Sequence, residues 1–217
     1  MRALAEAPQL LMHYTGINYN YIMSWDYYGK EWSEVKSQVP FKQLPMIVVD
    51  DKYEICQSIA ILNYIENVAG LKLKDPIEEA KASSILQSAQ ELFLPLNPAV
   101  NFALGDDFKK RRDDMKTFLM SRFEDLEKIL KSNEMKFFID DTPRACDFAA
   151  FHHLDLSKKL DDSLIKKFPR LEEFLKDINS IDTVKNYLSQ RPELIDVSID
   201  PKLVIDGKAH STGTTKT

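Results

Sequence analysis

Residues 40–61 read PFKQLPMIVVDDKYEICQSIAI, and they carry the clearest signals of secondary structure in the chain. The apolar run at 44–49 predicts a buried strand, the acidic pair at 50–51 predicts a turn, and residues 53–55 predict a second short strand. A helix is predicted to open at Ser58, because apolar residues recur at helical spacing from there to residue 68. The stretch therefore predicts a strand–turn–strand–helix unit.

The residues before this unit predict a helix and one further strand. Residues 1–14 carry apolar side chains at helical spacing, and Gly16 stands where a helix C-cap would be. Residues 17–23 predict a short strand, whereas 24–39 predict an irregular or weakly helical segment.

The residues after the unit predict helices alone. Pro76 fits the first turn of a helix, and from there to about residue 190 the pattern is helical, so we expect no strand beyond residue 76. The expected organisation is a small α/β domain at 1–70 and an all-helical domain at 76–205. The small polar residues at 206–217 predict a disordered tail.

Composition excludes several classes of function. The 217 residues suffice for one large or two modest domains, and the net charge of −5 disfavours nucleic acid as the main partner. No apolar run is long enough to span a bilayer, and polar residues interrupt any signal-peptide core near the N-terminus, so no membrane partner is predicted. Cys56 and Cys146 form neither a CxxC motif nor a Cys/His cluster, which favours a reducing cytoplasm and predicts no metal site. His152 and His153 are interpreted as surface and core histidines.

The chemistry of the stretch lies at Leu44, Pro45, Gln57 and Ser58. A cis bond before Pro45 would leave the N–H and C=O of Leu44 free to pair with an extended peptide. Ser58 stands at a helix start, where backbone donors and the positive end of the helix dipole attract a carboxylate, and Gln57 adds a neutral amide. Taken singly, Pro45 also fits an ordinary strand-entry proline and Ser58 an ordinary N-cap; their combination at this spacing favours a peptide site.

The stretches QLP and QSIAILNYI resemble the glutathione-binding half of cytosolic glutathione transferases. The opening RALAEAPQLLMHYTG resembles the first helix of that family, WSEVK resembles its loop after the second strand, and KNYLSQRP resembles the closing helix of sigma-like members. The resemblance implies a thioredoxin-like N-terminal domain followed by an all-helical C-terminal domain. It also implies glutathione as co-substrate, a small hydrophobic electrophile and a homodimer.

The resemblance further implies roles for individual residues. Trp32 and Lys36 would reach the glycine carboxylate of glutathione, and the backbone of Leu44 beside cis Pro45 would pair with the cysteinyl unit. The γ-glutamyl carboxylate would be held by the remaining members of the site, Gln57 and Ser58, with Gln43 lining the same pocket.

Two further groups of residues follow from the resemblance. Gln90 would approach the α-amino group of glutathione in the partner subunit, where family members usually place an acidic side chain. The electrophile would lie near Phe93, Leu96 and Phe102, which fit an interdomain core equally well.

The sequence departs from the family pattern in two ways that matter for chemistry and stability. The family's first strand, with the Tyr or Ser that stabilises the thiolate, has no counterpart before Met1, and Tyr14, Tyr19 and Tyr21 do not match its position. No catalytic residue is therefore assigned, and we expect this chain to conjugate glutathione poorly. At the helix start near Asp147, Arg144 replaces the usual capping Thr and cannot accept a backbone N–H.

These observations leave three functions open. The first is conjugation of glutathione to electrophiles, the second is glutathione-dependent prostaglandin isomerisation, and the third is a non-catalytic glutathione-binding or crystallin-like structural role.

Overall fold

The computed structural model describes residues 3–132 and 134–212. Its first half begins with helix α1 (Glu6–Thr15) and two short helices, α2 (Ser24–Tyr28) and α3 (Trp32–Val35), followed by 3₁₀ turns at Lys36–Gln38 and Pro40–Lys42. Strands β1 (Met46–Val49) and β2 (Tyr53–Cys56) and helix α4 (Ser58–Val68) come next. The predicted strand–turn–strand–helix unit is thus confirmed.

The second half consists mainly of helices. These are α5 (Pro76–Gln90), α6 (Phe93–Phe102), α7 (Gly105–Ser132), α8 (Ala145–Ile165), α9 (Pro169–Asn179) and α10 (Asp182–Gln190). Strands β3 (Glu193–Ile195), β4 (Lys202–Ile205) and β5 (Lys208–Ser211) close the described part of the chain.

Local signals set the ends of several helices as the sequence predicts. Gly16 ends α1 in the left-handed conformation at φ 70°, where its N–H donates to the carbonyl of Met12. Asp75 caps α5, since its carboxylate accepts the N–H of Ile77 at 2.8 Å and that of Glu78 at 3.0 Å.

The first sheet and helix α4 position the residues of the candidate site. Strand β1 pairs antiparallel with β2 from Met46 opposite Cys56 to Val49 opposite Tyr53. Helix α4 packs against both strands and against α1, burying Ile61, Leu62 and Ile65. The start of α4 therefore lies beside the beginning of β1.

The prediction of a strand at residues 17–23 is wrong. These residues are neither helix nor strand, and the described sheet that contains β1 holds β2 as its second strand and no third. A strand persists only when a neighbour pairs its backbone groups, and none does so here. The segment is instead tied to α1, because the N–H of Ile17 donates to Met12 and the Tyr19 hydroxyl donates to Gln9.

The expectation of no strand beyond residue 76 is also wrong. Strands β3, β4 and β5 form an antiparallel sheet that buries Leu194 and Leu203 against the helices. Asp206 and Gly207, both at positive φ, make the tight turn between β4 and β5, as an Asp-Gly pair commonly does in hairpins. The tail predicted at 206–217 is accordingly ordered up to residue 212, and residues 213–217 lie outside the described part.

Helix α8 forms the centre of the helical half, since it packs against α1, α5, α6 and α9. Because neighbours surround it, polar side chains along it are buried too, including both His152 and His153. The interpretation of one of these histidines as a surface residue is therefore wrong.

Candidate glutathione site

The entry to β1 presents backbone groups that the sheet does not use. The β1–β2 register begins at Met46, so Leu44 precedes the ladder by two residues. The Leu44–Pro45 bond is cis, as predicted, and Leu44 is 43% exposed. Leu44 thus lies at the surface ahead of the sheet, and the β1–β2 ladder leaves its N–H and C=O to an extended peptide.

The start of α4 stands beside this edge and offers donors to an anion. Gln57 holds an uncommon backbone conformation at φ 71° and ψ 119°, and it gives the helix no side-chain cap. Its carbonyl accepts the first helical bond, from the N–H of Ile61 at 2.9 Å. The first amides of α4 therefore keep their donors and the positive end of the helix dipole for an incoming carboxylate.

The polar side chains of the predicted site meet in pairs. Gln57 Nε2 donates to Gln43 Oε1 at 3.3 Å across the exposed edge. Ser58 is buried, and its Oγ lies 3.5 Å from Nε2 of Gln90 at the end of α5. The structure thus brings Gln43, Gln57 and Ser58 to one region.

Trp32 and Lys36 lie on the connection that leads into β1. Trp32 begins α3 and is half-buried, while Lys36 is exposed at the start of the following 3₁₀ turn. Val35 and Val39 are buried and fix this connection to the body of the protein. Among the described residues, no hydrogen bond joins the side chain of Trp32 or Lys36 to Gln43, Gln57 or Ser58. Their approach to the glycine carboxylate stays a prediction.

The three apolar residues predicted near the electrophile are separated by the structure. Leu96 is 0% exposed within the core, which is the second of its two predicted roles. Phe93 is half-buried beside the ring of His153, whereas Phe102 is exposed at the far end of α6. Nine residues of helix separate the two phenylalanines, about 14 Å along the axis. One small electrophile would not reach both side chains.

The tyrosines near the N-terminus are engaged with helices. The ring of Tyr14 packs 5.3 Å from that of Phe148 on α8. The Tyr19 hydroxyl donates to Gln9 Oε1 at 3.2 Å and lies 3.0 Å from His13 Nε2, and burial raises the pKa of Tyr19 to about 12. The Tyr19 hydroxyl is thus engaged with α1, and no catalytic residue is assigned.

Arg144 fails as a side-chain cap, but α8 is capped by other means. The N–H of Arg144 donates to Asp147 Oδ2 at 2.8 Å, and the N–H of Ala145 donates to Glu66 Oε1 at 3.1 Å. The guanidinium of Arg144 turns away to the carbonyl of Leu71 and the carboxylate of Asp140. Helix α8 accordingly begins at Ala145, directly after Arg144.

Glu66 is a structural residue that the sequence did not reveal. It lies on α4, 79 positions before the amide that it caps, and it is buried. Burial raises the pKa of Glu66, and burial likewise raises the pKa of Asp147 to about 6. Such a long-range contact has no local sequence signal.

Two family models match this chain, one in each half. The family model for the glutathione S-transferase N-terminal domain matches residues 1–67, and that for the glutathione S-transferase C-terminal domain matches residues 96–191. The chain belongs to the glutathione transferase family. Its predicted fold class, a thioredoxin-like domain followed by a helical domain, is confirmed, with the correction that a small sheet follows the last helix.

Individual relatives cover most of both chains. Probable glutathione S-transferase 6 of Caenorhabditis elegans is 26% identical over 197 residues, which are 89% of this chain and 94% of the relative. Hematopoietic prostaglandin D synthase of Gallus gallus is 27% identical over 195 residues, with the same shares of 89% and 94%. A solved glutathione S-transferase of Caenorhabditis elegans is 26% identical at a TM-score of 0.75, covering 89% of this chain and 95% of the other.

The described residues lack two kinds of feature. No helix within 3–132 or 134–212 has the length and apolar character needed to cross a membrane. In the same part of the chain, no three His, Cys, Asp or Glu side chains are grouped so that they could hold a metal ion.

Proposed function

We propose that this glutathione transferase family member binds glutathione along the edge formed by residues 43–58 and conjugates the glutathione thiolate to small hydrophobic electrophiles. The observation that carries the proposal is that two features occur side by side. Exposed Leu44 lies outside the strand ladder, and the start of α4 has no side-chain cap. The first suits the main chain of a short peptide, and the second suits a carboxylate at one end of it. Glutathione has both features.

The roles that we propose for these residues are the ones that the resemblance to glutathione transferases implies. The backbone of Leu44 pairs with the cysteinyl unit, and Gln57 and Ser58 hold the γ-glutamyl carboxylate with Gln43 beside them. Trp32 and Lys36 reach the glycine carboxylate from the preceding connection. In the reaction, the thiolate sulfur forms a bond to an electrophilic carbon. In substitution the bond to the leaving group breaks and the leaving group takes its electron pair; in addition a π bond at that carbon breaks, and the neighbouring atom takes the electron pair and then a proton from solvent.

The setting that we propose is a sigma-like homodimer in the cytoplasm with a role in detoxification. Sequence similarity to sigma-like members supports the class, and two cysteines without a disulfide support a reducing compartment. Gln90, as the partner-subunit contact to the α-amino group, and Phe93, as a wall of the electrophile site, belong to the same proposal.

A second candidate function is glutathione-dependent prostaglandin isomerisation. It is favoured by one specific observation, the 27% identity to hematopoietic prostaglandin D synthase of Gallus gallus over most of both chains. Both functions need the same glutathione site and differ in the second substrate.

Three measurements on the purified chain separate these functions from a non-catalytic role. Calorimetric titration with glutathione tests the site itself, and absence of binding would overturn both enzymatic proposals. Conjugation to a chromogenic electrophile and conversion of a prostaglandin endoperoxide then test the two reactions. Binding without either reaction would identify a non-catalytic glutathione-binding protein.

A further inference from the structure

Gln90 bridges two buried side chains that belong to different helices. Its Nε2 lies 3.5 Å from Oγ of Ser58, which is the first residue of α4 and 5% exposed. Its Oε1 lies 3.4 Å from Nε2 of His153 on α8, which is 1% exposed. The amide therefore connects the start of α4 to the core of the helical half.

The protonation state of His153 determines which groups donate in the two contacts of Gln90. Burial lowers the pKa of His153 well below its usual value, with a smaller contribution from His152, so the ring is neutral and carries one N–H. Nδ1 of His153 is buried without a hydrogen-bond partner among the described residues. The hydrogen is therefore placed on Nε2, where it donates to the carbonyl oxygen of Gln90.

The orientation of the Gln90 amide also fixes the donor in its contact with Ser58. With its oxygen facing His153, Gln90 turns its NH₂ group to Ser58 and donates to Oγ. A hydroxyl that accepts one hydrogen bond still has its own hydrogen to donate. Ser58 is thereby left as a donor at the uncapped start of α4, where a carboxylate is favoured.

We infer that Gln90, anchored by His153, is a positioning residue that orients the Ser58 hydroxyl as a donor to the glutamyl carboxylate of glutathione bound in the same chain. The inference rests on the proposed function and gives Gln90 a role within its own subunit, besides the contact proposed for the partner. The two roles predict opposite effects of Gln90→Glu, because an acidic side chain would strengthen the partner contact to the α-amino group and would weaken the positioning of Ser58. Both distances are long for hydrogen bonds, so each contact is weak and the effect on affinity is moderate.

The test compares four variants with two ligands by calorimetric titration, and the first of them, Ser58→Ala, removes the hydroxyl itself. Gln90→Leu removes both contacts, and Gln90→Glu keeps the shape but offers acceptors alone, so it draws the hydroxyl hydrogen away from the ligand. Gln87→Leu is the matched control, since Gln87 lies one turn earlier on α5, is exposed and contacts Ser83. The ligands are glutathione and cysteinylglycine, which lacks the glutamyl unit.

We expect Gln90→Leu to weaken glutathione binding about threefold to tenfold and Gln90→Glu to weaken it more than tenfold. Binding of cysteinylglycine should stay within twofold of the parent chain, because a general loss of structure would weaken both ligands alike. Thermal unfolding of each variant checks the fold, and if Gln90→Leu does not fold, the near-isosteric Gln90→Glu decides.

The outcomes separate this inference from the proposed function. If Ser58→Ala weakens glutathione binding while both Gln90 variants behave like Gln87→Leu, the positioning role is wrong and the site stands. Equal losses for both ligands in the Gln90 variants also overturn it. If Ser58→Ala leaves glutathione binding unchanged, the proposed site itself is wrong.

Discussion

Replacement of Glu66 by Leu should destabilise the protein at a distance from its own helix. The change removes the acceptor of the Ala145 N–H at the start of α8 and leaves that buried donor without the partner it has now. An unsatisfied buried group costs about 1–3 kcal/mol. For a chain of this size each kcal/mol lowers the Tm by about 2–4 °C, so we expect a fall of roughly 2–12 °C.

Two companion variants test the reason for that loss. Glu66→Gln retains an oxygen acceptor and removes a charge that burial disfavours, as the raised pKa of Glu66 indicates, so its Tm should stay within about 3 °C of the parent. Asn67→Leu is the control, since Asn67 is the exposed neighbour on the same helix. It should change the unfolding free energy by less than about 0.5 kcal/mol.

The assay is thermal unfolding at pH 7, followed by circular dichroism for helix loss and by intrinsic fluorescence for tertiary structure. Equal stability of Glu66→Leu and Asn67→Leu would show that the contact to α8 contributes nothing. A loss in Glu66→Gln as large as that in Glu66→Leu would show that the charge, rather than the acceptor, stabilises the helix start.

Three further predictions concern the site and the buried charges. Gln57→Ala and Ser58→Ala should each weaken glutathione binding about tenfold to a hundredfold in calorimetric titration without lowering the Tm, because a hydrogen bond to a charged group contributes about 1.5–3 kcal/mol; unchanged affinity in both would exclude the site. Arg191→Leu leaves the carboxylates of Glu6 and Asp155 without the guanidinium that pairs with them. The free energy of unfolding in urea should fall by about 3–5 kcal/mol, and a fall of less than about 1 kcal/mol would contradict this. Burial lowers the pKa of His153, so the unfolded chain binds a proton more readily and stability falls as pH drops below about 6.5. In His153→Phe the fall in Tm from pH 7.5 to pH 5.5 should be smaller than in the parent, and an equal fall would refute the assignment.

The sequence predicted those elements whose signals are local. The apolar run ahead of Asp50, the cis bond before Pro45 and the helix that begins at Ser58 are all confirmed. Each depends on the spacing of neighbouring residues and on backbone rules that act within a few positions. The region of the candidate site was predictable for the same reason, because Gln43, Gln57 and Ser58 follow directly from that unit.

The errors have two different causes. The hairpin around Asp206 and Gly207 carries a recognisable turn signal, which the expectation of a helical half set aside. The strand at 17–23 could not be judged locally, because a strand depends on a partner elsewhere in the chain. The roles of Glu66 and Gln90 within the chain are likewise tertiary, since each side chain meets groups that are far away in sequence.

The capping of helices by distant carboxylates has a consequence for cooperativity. Glu66 completes the start of α8, and Glu127 on α7 accepts the N–H of Leu171 at 2.9 Å and that of Arg170 at 3.3 Å at the start of α9. Neither helix has its first turn satisfied until the other element has docked. The central helix α8 is therefore incomplete without α4, and we expect the two halves of the chain to stabilise each other at this contact. A cut in the connection at 71–75 would leave each fragment with open hydrogen-bonding groups at this contact, and the two halves should melt in one transition.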